Sequence, residues 1–113
     1  MTNPSIVKSW GRVLRQGGYQ VVTASDGGEG LAAARSERPA LIITDQSMPT
    51  INGIELCSLI KLESELAQVP IILISADPPA ADRDAKWDKF LFKPVSIDVL
   101  LDSVEYLLTP DDG

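Results

Sequence analysis

An acid, a hydroxyl and a cation stand at comparable places in three apolar segments: Asp45 closes ALIITD, Ser75 falls near the end of PIILISA, and Lys93 follows KFLF directly. A carboxylate, a hydroxyl and an ammonium around one small space suit a group that is transiently anionic. A phosphoryl group carried on Asp45 would fit, with Lys93 pairing its oxygens and Ser75 donating a hydrogen bond. Taken singly, each residue has a plainer use. An acid or serine after a strand commonly forms a turn through its own side chain, and a lone lysine is usually solvated. Lys93 also precedes a proline, which restricts its backbone to extended conformations. The chemistry therefore depends on whether the fold brings three segment ends together.

The elements that must do so follow from the pattern. Asn3-Pro4 reads as a helix start, with Ile6, Trp10, Val13 and Leu14 at helical spacing and Gly17-Gly18 as its stop. YQVVTAS (19–25) is a short strand, punctuated by Asp26-Gly27-Gly28. A short alanine-rich helix covers 29–38 and is stopped by Pro39. ALIITD (40–45) and PIILISA (70–76) are continuous apolar runs, as expected of strands covered on both faces. Between them Asn52-Gly53 opens a longer helix over 53–67, in which Cys57 and Ile60 face the core. Asp77 to Lys86, with Pro78-Pro79, reads as a loop with at most two helical turns; KFLF (89–92) is a strand. A last helix over 96–108 carries Ile97, Leu100, Leu101, Val104 and Leu108 on one stripe, with Ser96 as cap. The alternation predicts an α/β domain over 1–108, a mainly parallel sheet with helices on both faces, and a tail at 109–113. Such a sheet works at the carboxyl ends of its strands. Those ends are Ser25/Asp26, Asp45, Ser75/Asp77 and Lys93.

Composition narrows the functions. The 113 residues fit one domain, and a net charge of -6 with no basic run argues against nucleic-acid binding. No apolar stretch is long enough for a membrane span, and the N-terminus lacks an apolar signal core. One cysteine cannot form an internal disulfide, so the expected setting is intracellular and cytoplasmic. The absence of histidine excludes histidine triads, histidine-ligated metals and phosphohistidine chemistry within the chain. Trp10 and Trp87 read as packing residues.

Through GGYQVVTASDGGEGL, PALIITDQSMPTINGIEL, VPIILISA and FLFKPV, in that order, the chain resembles the receiver domain of bacterial two-component response regulators, which has a flavodoxin-like fold. The resemblance implies Asp45 as phosphoacceptor, Ser75 as the hydroxyl that follows the phosphoryl group, and Lys93 as its cationic partner. Phe90 stands at the aromatic switch position, although an aromatic on a strand equally reads as core. The resemblance also makes the Ser47 carbonyl a backbone metal ligand and Gly53 the glycine opening the third helix. Its implied partner is a sensor histidine kinase or another signalling protein.

One departure is expected to matter. The family begins with an apolar strand ending in two acids, and residues 1–8 hold no such segment, leaving four strands. Magnesium, which those acids help to hold, would find only Asp45 and the Ser47 carbonyl, a weakened site or none. The segment after Ser75 departs too: it is short, Pro-Pro-led and lacks the usual Gly-Ala step. The expected function is a non-enzymatic phosphorelay receiver with no output domain. The alternative is a pseudo-receiver that binds partners without phosphorylation. A flavin or nucleotide enzyme on the same architecture would need a phosphate loop that the sequence lacks.

A missing strand would leave an edge and the apolar stripes of the first and last helices uncovered. The expected repair is a homodimer, against a four-stranded monomer in which 19–25 pairs with 40–45. Light scattering on dilute protein should then return twice the 12.2 kDa chain mass. A persistent single-chain mass, with unfolding independent of concentration, would favour the monomer.

Overall fold

The computed structural model describes residues 14, 16, 18, 27–47, 51–77 and 86–108. The expected helix start at Asn3, the strand at 19–25 with Ser25/Asp26, the centre of the loop after Asp77, and the tail lie outside them, as does Trp10. In chain order the elements are α1 (Gly27–Glu37), β1 (Ile42–Asp45), α2 (Gly53–Lys61), β2 (Ile71–Ser75), β3 (Lys89–Phe92) and α3 (Ile97–Leu108). Among the described residues three strands form a parallel sheet in the order β1-β2-β3.

Alternation along the strands splits the interior into two cores. Ile42 and Ile71 pack with Leu31, Ala34, Leu56, Cys57, Ile60 and Leu66 from the α1 and α2 side. Ile43, Ile72, Ile74 and Leu91 pack with Leu100 and Val104 of α3, and with the helical residue Leu14. Helices thus cover both faces, as the unbroken apolar run of β2 requires: all five of its residues are buried. Leu14 and Gln16 are helical, and Gly18 is in a turn at φ 95. Trp87 packs against the first core, in line with a packing role.

Two elements depart from the pattern. The helix expected over 53–67 stops at Lys61. Successive turn hydrogen bonds from Glu63 N–H to Ile60 O, Leu66 N–H to Glu63 O and Val69 N–H to Leu66 O fold the chain back instead. That reversal buries Leu66, which a continuing helix would not have placed in the core. On α3, Leu100 and Val104 are buried, but Ile97 is exposed in the first turn ahead of the core contacts. Ser96 does cap this helix: its Oγ accepts the Val99 N–H at 3.1 Å.

At the amino edge of the sheet, away from the strand ends of interest, charged side chains satisfy backbone groups. Lys61 Nζ donates to the carbonyls of Ala67 (3.1 Å) and Val69 (2.9 Å) and stands 3.7 Å from Asp88 Oδ2. Asp88 holds the first residue of β2 twice, its N–H donating to Ile71 O and its Oδ2 accepting the Ile71 N–H, both at 2.8 Å. Among the described residues no helix is long and apolar enough to cross a membrane.

Cys57 is fully buried in the first core. Burial pushes its thiol up from an ordinary value of 9.0 to about 12. The folded protein therefore holds this proton more tightly than the unfolded chain. Stability from the neutral thiol is complete below pH 9 and is lost as pH climbs towards 12. In urea unfolding, the advantage of the wild type over Cys57→Ala should shrink through that window, by about 1.4 kcal/mol per pH unit at most. A constant difference would show that the thiol ionises equally easily in both states.

Candidate functional site

Parallel registration brings the working residues to one level. Asp45, the last residue of β1, is opposite Ile74, and Ser75 is opposite Phe92, the residue before Lys93. Backbone bonds extend the ladder past the strand ends: Gln46 N–H donates to Ile74 O and Lys93 N–H to Ser75 O, each at 2.9 Å. The carboxyl edge is thereby locked across all three strands.

On this edge the Lys93 ammonium lies 2.7 Å from Asp45 Oδ1. That oxygen is shielded from solvent, and among the described residues the Lys93 ammonium meets it as an ion pair. Side-chain exposures of 22% for Asp45 and 42% for Lys93 leave the pair open to an incoming group. Ser75 is buried at the same edge, and its Oγ accepts the Asp77 N–H at 3.1 Å. Among the described residues this hydroxyl accepts that bond and donates to none. The peptide between Lys93 and Pro94 is cis. The structure thus joins Asp45 to Lys93 directly, and Ser75 to Lys93 through the backbone.

Phe90 pairs with Leu73, farther back along β3, and is half-buried. Its ring stands 4.9 Å from that of Phe92, edge-on, and 6.2 Å from that of Trp87. It is therefore one of an aromatic row as well as a strand residue against the sheet. Ser47 is exposed two residues beyond Asp45, which leaves its carbonyl near the acid in sequence. Among the described residues no three carboxylate, histidine or cysteine side chains gather as metal ligands.

Two features at the start of α2 anchor the end of β1. Asn52 Oδ1 accepts the Glu55 N–H while the Glu55 side chain accepts the Asn52 N–H, a capping box at the start of α2. That Asn-x-x-Glu spacing is visible in the letters. Gln46 is not: its main-chain O accepts the Gly53 N–H at 3.0 Å and its Oε1 accepts the Ile54 N–H at 2.8 Å. Gly53 permits the approach. A Cβ there would lie 2.5 Å from the Asp45 carbonyl oxygen and 2.9 Å from Gln46 Cα.

A parallel sheet whose carboxyl edge pairs an acid with a lysine before proline is the arrangement of a signalling receiver. The chain belongs to the response regulator receiver domain family, whose model matches residues 2–105. It is 35% identical over 116 aligned positions to the response regulator MprA of Mycolicibacterium vanbaalenii, covering 96% of this chain and 49% of MprA. The chain thus spans about half the length of that relative. Protein PilH of Pseudomonas aeruginosa is 30% identical over 102 positions, 85% of this chain and 83% of PilH. Among solved structures, the response regulator TrrA of Thermotoga maritima, in complex with magnesium and beryllium fluoride, superposes with a TM-score of 0.83 at 26% identity. That match covers 96% of this chain and all (100%) of TrrA. The fold is the flavodoxin-like receiver fold, and the chain is a receiver domain of two-component signalling.

A Cβ at Gly53 would also meet Leu73 Cδ1 at 2.7 Å, but the contacts with Asp45 O and Gln46 Cα are to backbone atoms, which no side-chain rotation relieves. Gly53→Ala should lower the urea midpoint with an unchanged slope, a loss of about 1–3 kcal/mol. A wild-type midpoint would mean that the β1–α2 connection yields readily.

Proposed function

We propose that Asp45 receives a phosphoryl group from a phosphohistidine on a sensor kinase or another signalling partner, and that the altered charge at the sheet edge is the signal. The observation that carries this reading is the Lys93 ammonium 2.7 Å from Asp45 Oδ1. In the transfer a carboxylate oxygen of Asp45 attacks phosphorus. The new O–P bond forms as the P–N bond breaks, and the donor imidazole keeps the electron pair and takes up a proton. Lys93 then moves its charge from the carboxylate to the phosphoryl oxygens, and Ser75 donates its hydroxyl proton to one of them. Phe90 reports the change along β3 through its contacts with Phe92 and Trp87.

Asp45 and the Ser47 carbonyl are the groups that would hold magnesium, which when bound offsets the charge between two meeting anions. The complex of TrrA with magnesium and beryllium fluoride supports a site of this class. With so few donors among the described residues, we propose that the metal binds weakly until the phosphoryl group supplies further oxygens. The same shortage favours a second reading, in which the chain is a pseudo-receiver and the Asp45–Lys93 pair is a fixed anchor of an interaction surface.

Phosphoramidate or acetyl phosphate, applied across a magnesium titration and followed by intact mass, separates the two. The expected result is one added phosphoryl group, absent in Asp45→Asn and formed on the order of 10²-fold more slowly in Lys93→Ala. No uptake at any magnesium concentration, with partner binding unaffected by Asp45→Asn, would replace the phosphorelay reading by the pseudo-receiver.

A further inference from the structure

We infer that Gln46 is a positioning residue for Asp45, acting through the start of α2. Three of its groups are committed to three places. Its N–H donates to Ile74 O at the end of β2, its carbonyl accepts the Gly53 N–H, and its side-chain Oε1 accepts the Ile54 N–H at 2.8 Å. A helix start leaves several N–H groups without intrahelical partners. Here two consecutive ones, Gly53 and Ile54, are taken by one residue, and that residue is bonded covalently to the acid.

The remaining amides at this helix start are satisfied within the capping box of Asn52 and Glu55. Gln46 is therefore what joins the helix to the strand end. The bond through its main chain survives any substitution that keeps the backbone in place. The bond through its side chain does not, and it fixes how the helix start is rotated about the end of β1. The Asp45 carbonyl oxygen lies so close to Gly53 that a rotation there is felt at the acid's own peptide. The Asp45–Lys93 approach of 2.7 Å is the quantity at stake.

Glutamine suits the task by reach and by chemistry. Glutamate would keep the acceptor oxygen and suit a helix N-terminus, whereas methionine keeps the length and loses the acceptor.

The test compares wild type, Gln46→Met and Gln46→Glu in the full chain by carbodiimide crosslinking and peptide mass analysis. This reagent joins a carboxylate to an adjacent amine with loss of one water. The Asp45–Lys93 crosslink reads the site, and the Lys61–Asp88 pair, 3.7 Å apart at the opposite edge, is the internal control. In Gln46→Met the first should form about tenfold more slowly, the second should be unchanged, and phosphoryl uptake should fall in parallel. Gln46→Glu should restore the first crosslink to within about threefold of wild type. An unaltered Asp45–Lys93 crosslink in Gln46→Met, both crosslinks falling together, or a glutamate variant as slow as the methionine one would each overturn the assignment. The uptake arm rests on Asp45 as phosphoacceptor. If wild type takes up no phosphoryl group, that reading falls, and the crosslink ratio alone decides the role of Gln46.

Discussion

Parallel strands cannot be joined by a tight turn, and the rest of the molecule follows from this constraint. Each connection must carry the chain back to the starting edge, so every strand ends on the same side of the sheet. Asp45, Ser75 and Lys93 share an edge because β1, β2 and β3 run in one direction. No long-range recognition between these residues has to be specified. Once the strands pair in register, the acid and the ammonium are delivered to the same place, and flexible side chains close the remaining gap.

The helix α2 links that edge to its opposite. Its first turn is fastened to Gln46 and the Asp45 backbone, while Lys61 in its last turn fastens the carbonyls of Ala67 and Val69 near Asp88. The half-buried Lys61 bonds are charge-assisted and outweigh the exposed pairs of Arg35 with Glu63 and Arg38 with Glu65. Exposed pairs contribute about 0–1 kcal/mol, whereas hydrogen bonds to charged groups contribute about 1.5–3 kcal/mol each. The polar groups that shape the domain are therefore those at the two ends of the sheet.

Much of this was legible in the letters. The apolar runs at Ile42–Asp45 and Ile71–Ser75, the strand Lys89–Phe92 and the Ser96 cap stand where their composition puts them. That Asp45 and Lys93 share an edge also followed, since strand direction delivers both to it, while their 2.7 Å approach depends on the register as well. Other features required tertiary structure. The end of α2 at Lys61 is set by the burial of Leu66 after a turn, which helical periodicity over 53–67 does not reveal. Gln46 is unremarkable as a letter, because the amides that it accepts belong to residues seven and eight positions away and approach only when the helix folds onto the strand. Ile97 fits the apolar stripe by spacing and still lies outside the packed region.

Asp88 has a consequence for the fidelity of strand pairing. A strand apolar on one face reveals a slip of one residue at once, because its side chains exchange faces. In β2 both faces are apolar, so Ile71, Ile72, Leu73 and Ile74 could trade places at little hydrophobic cost. The two bonds of Asp88 to Ile71 supply the missing discrimination, since a slipped strand would forfeit both and strand the carboxylate beside a poorly matched backbone. One step along a strand is about 3.3 Å, more than the whole separation of Asp45 and Lys93. An acid at the far end of the sheet thus acts as the zero mark from which the alignment of the opposite edge is measured.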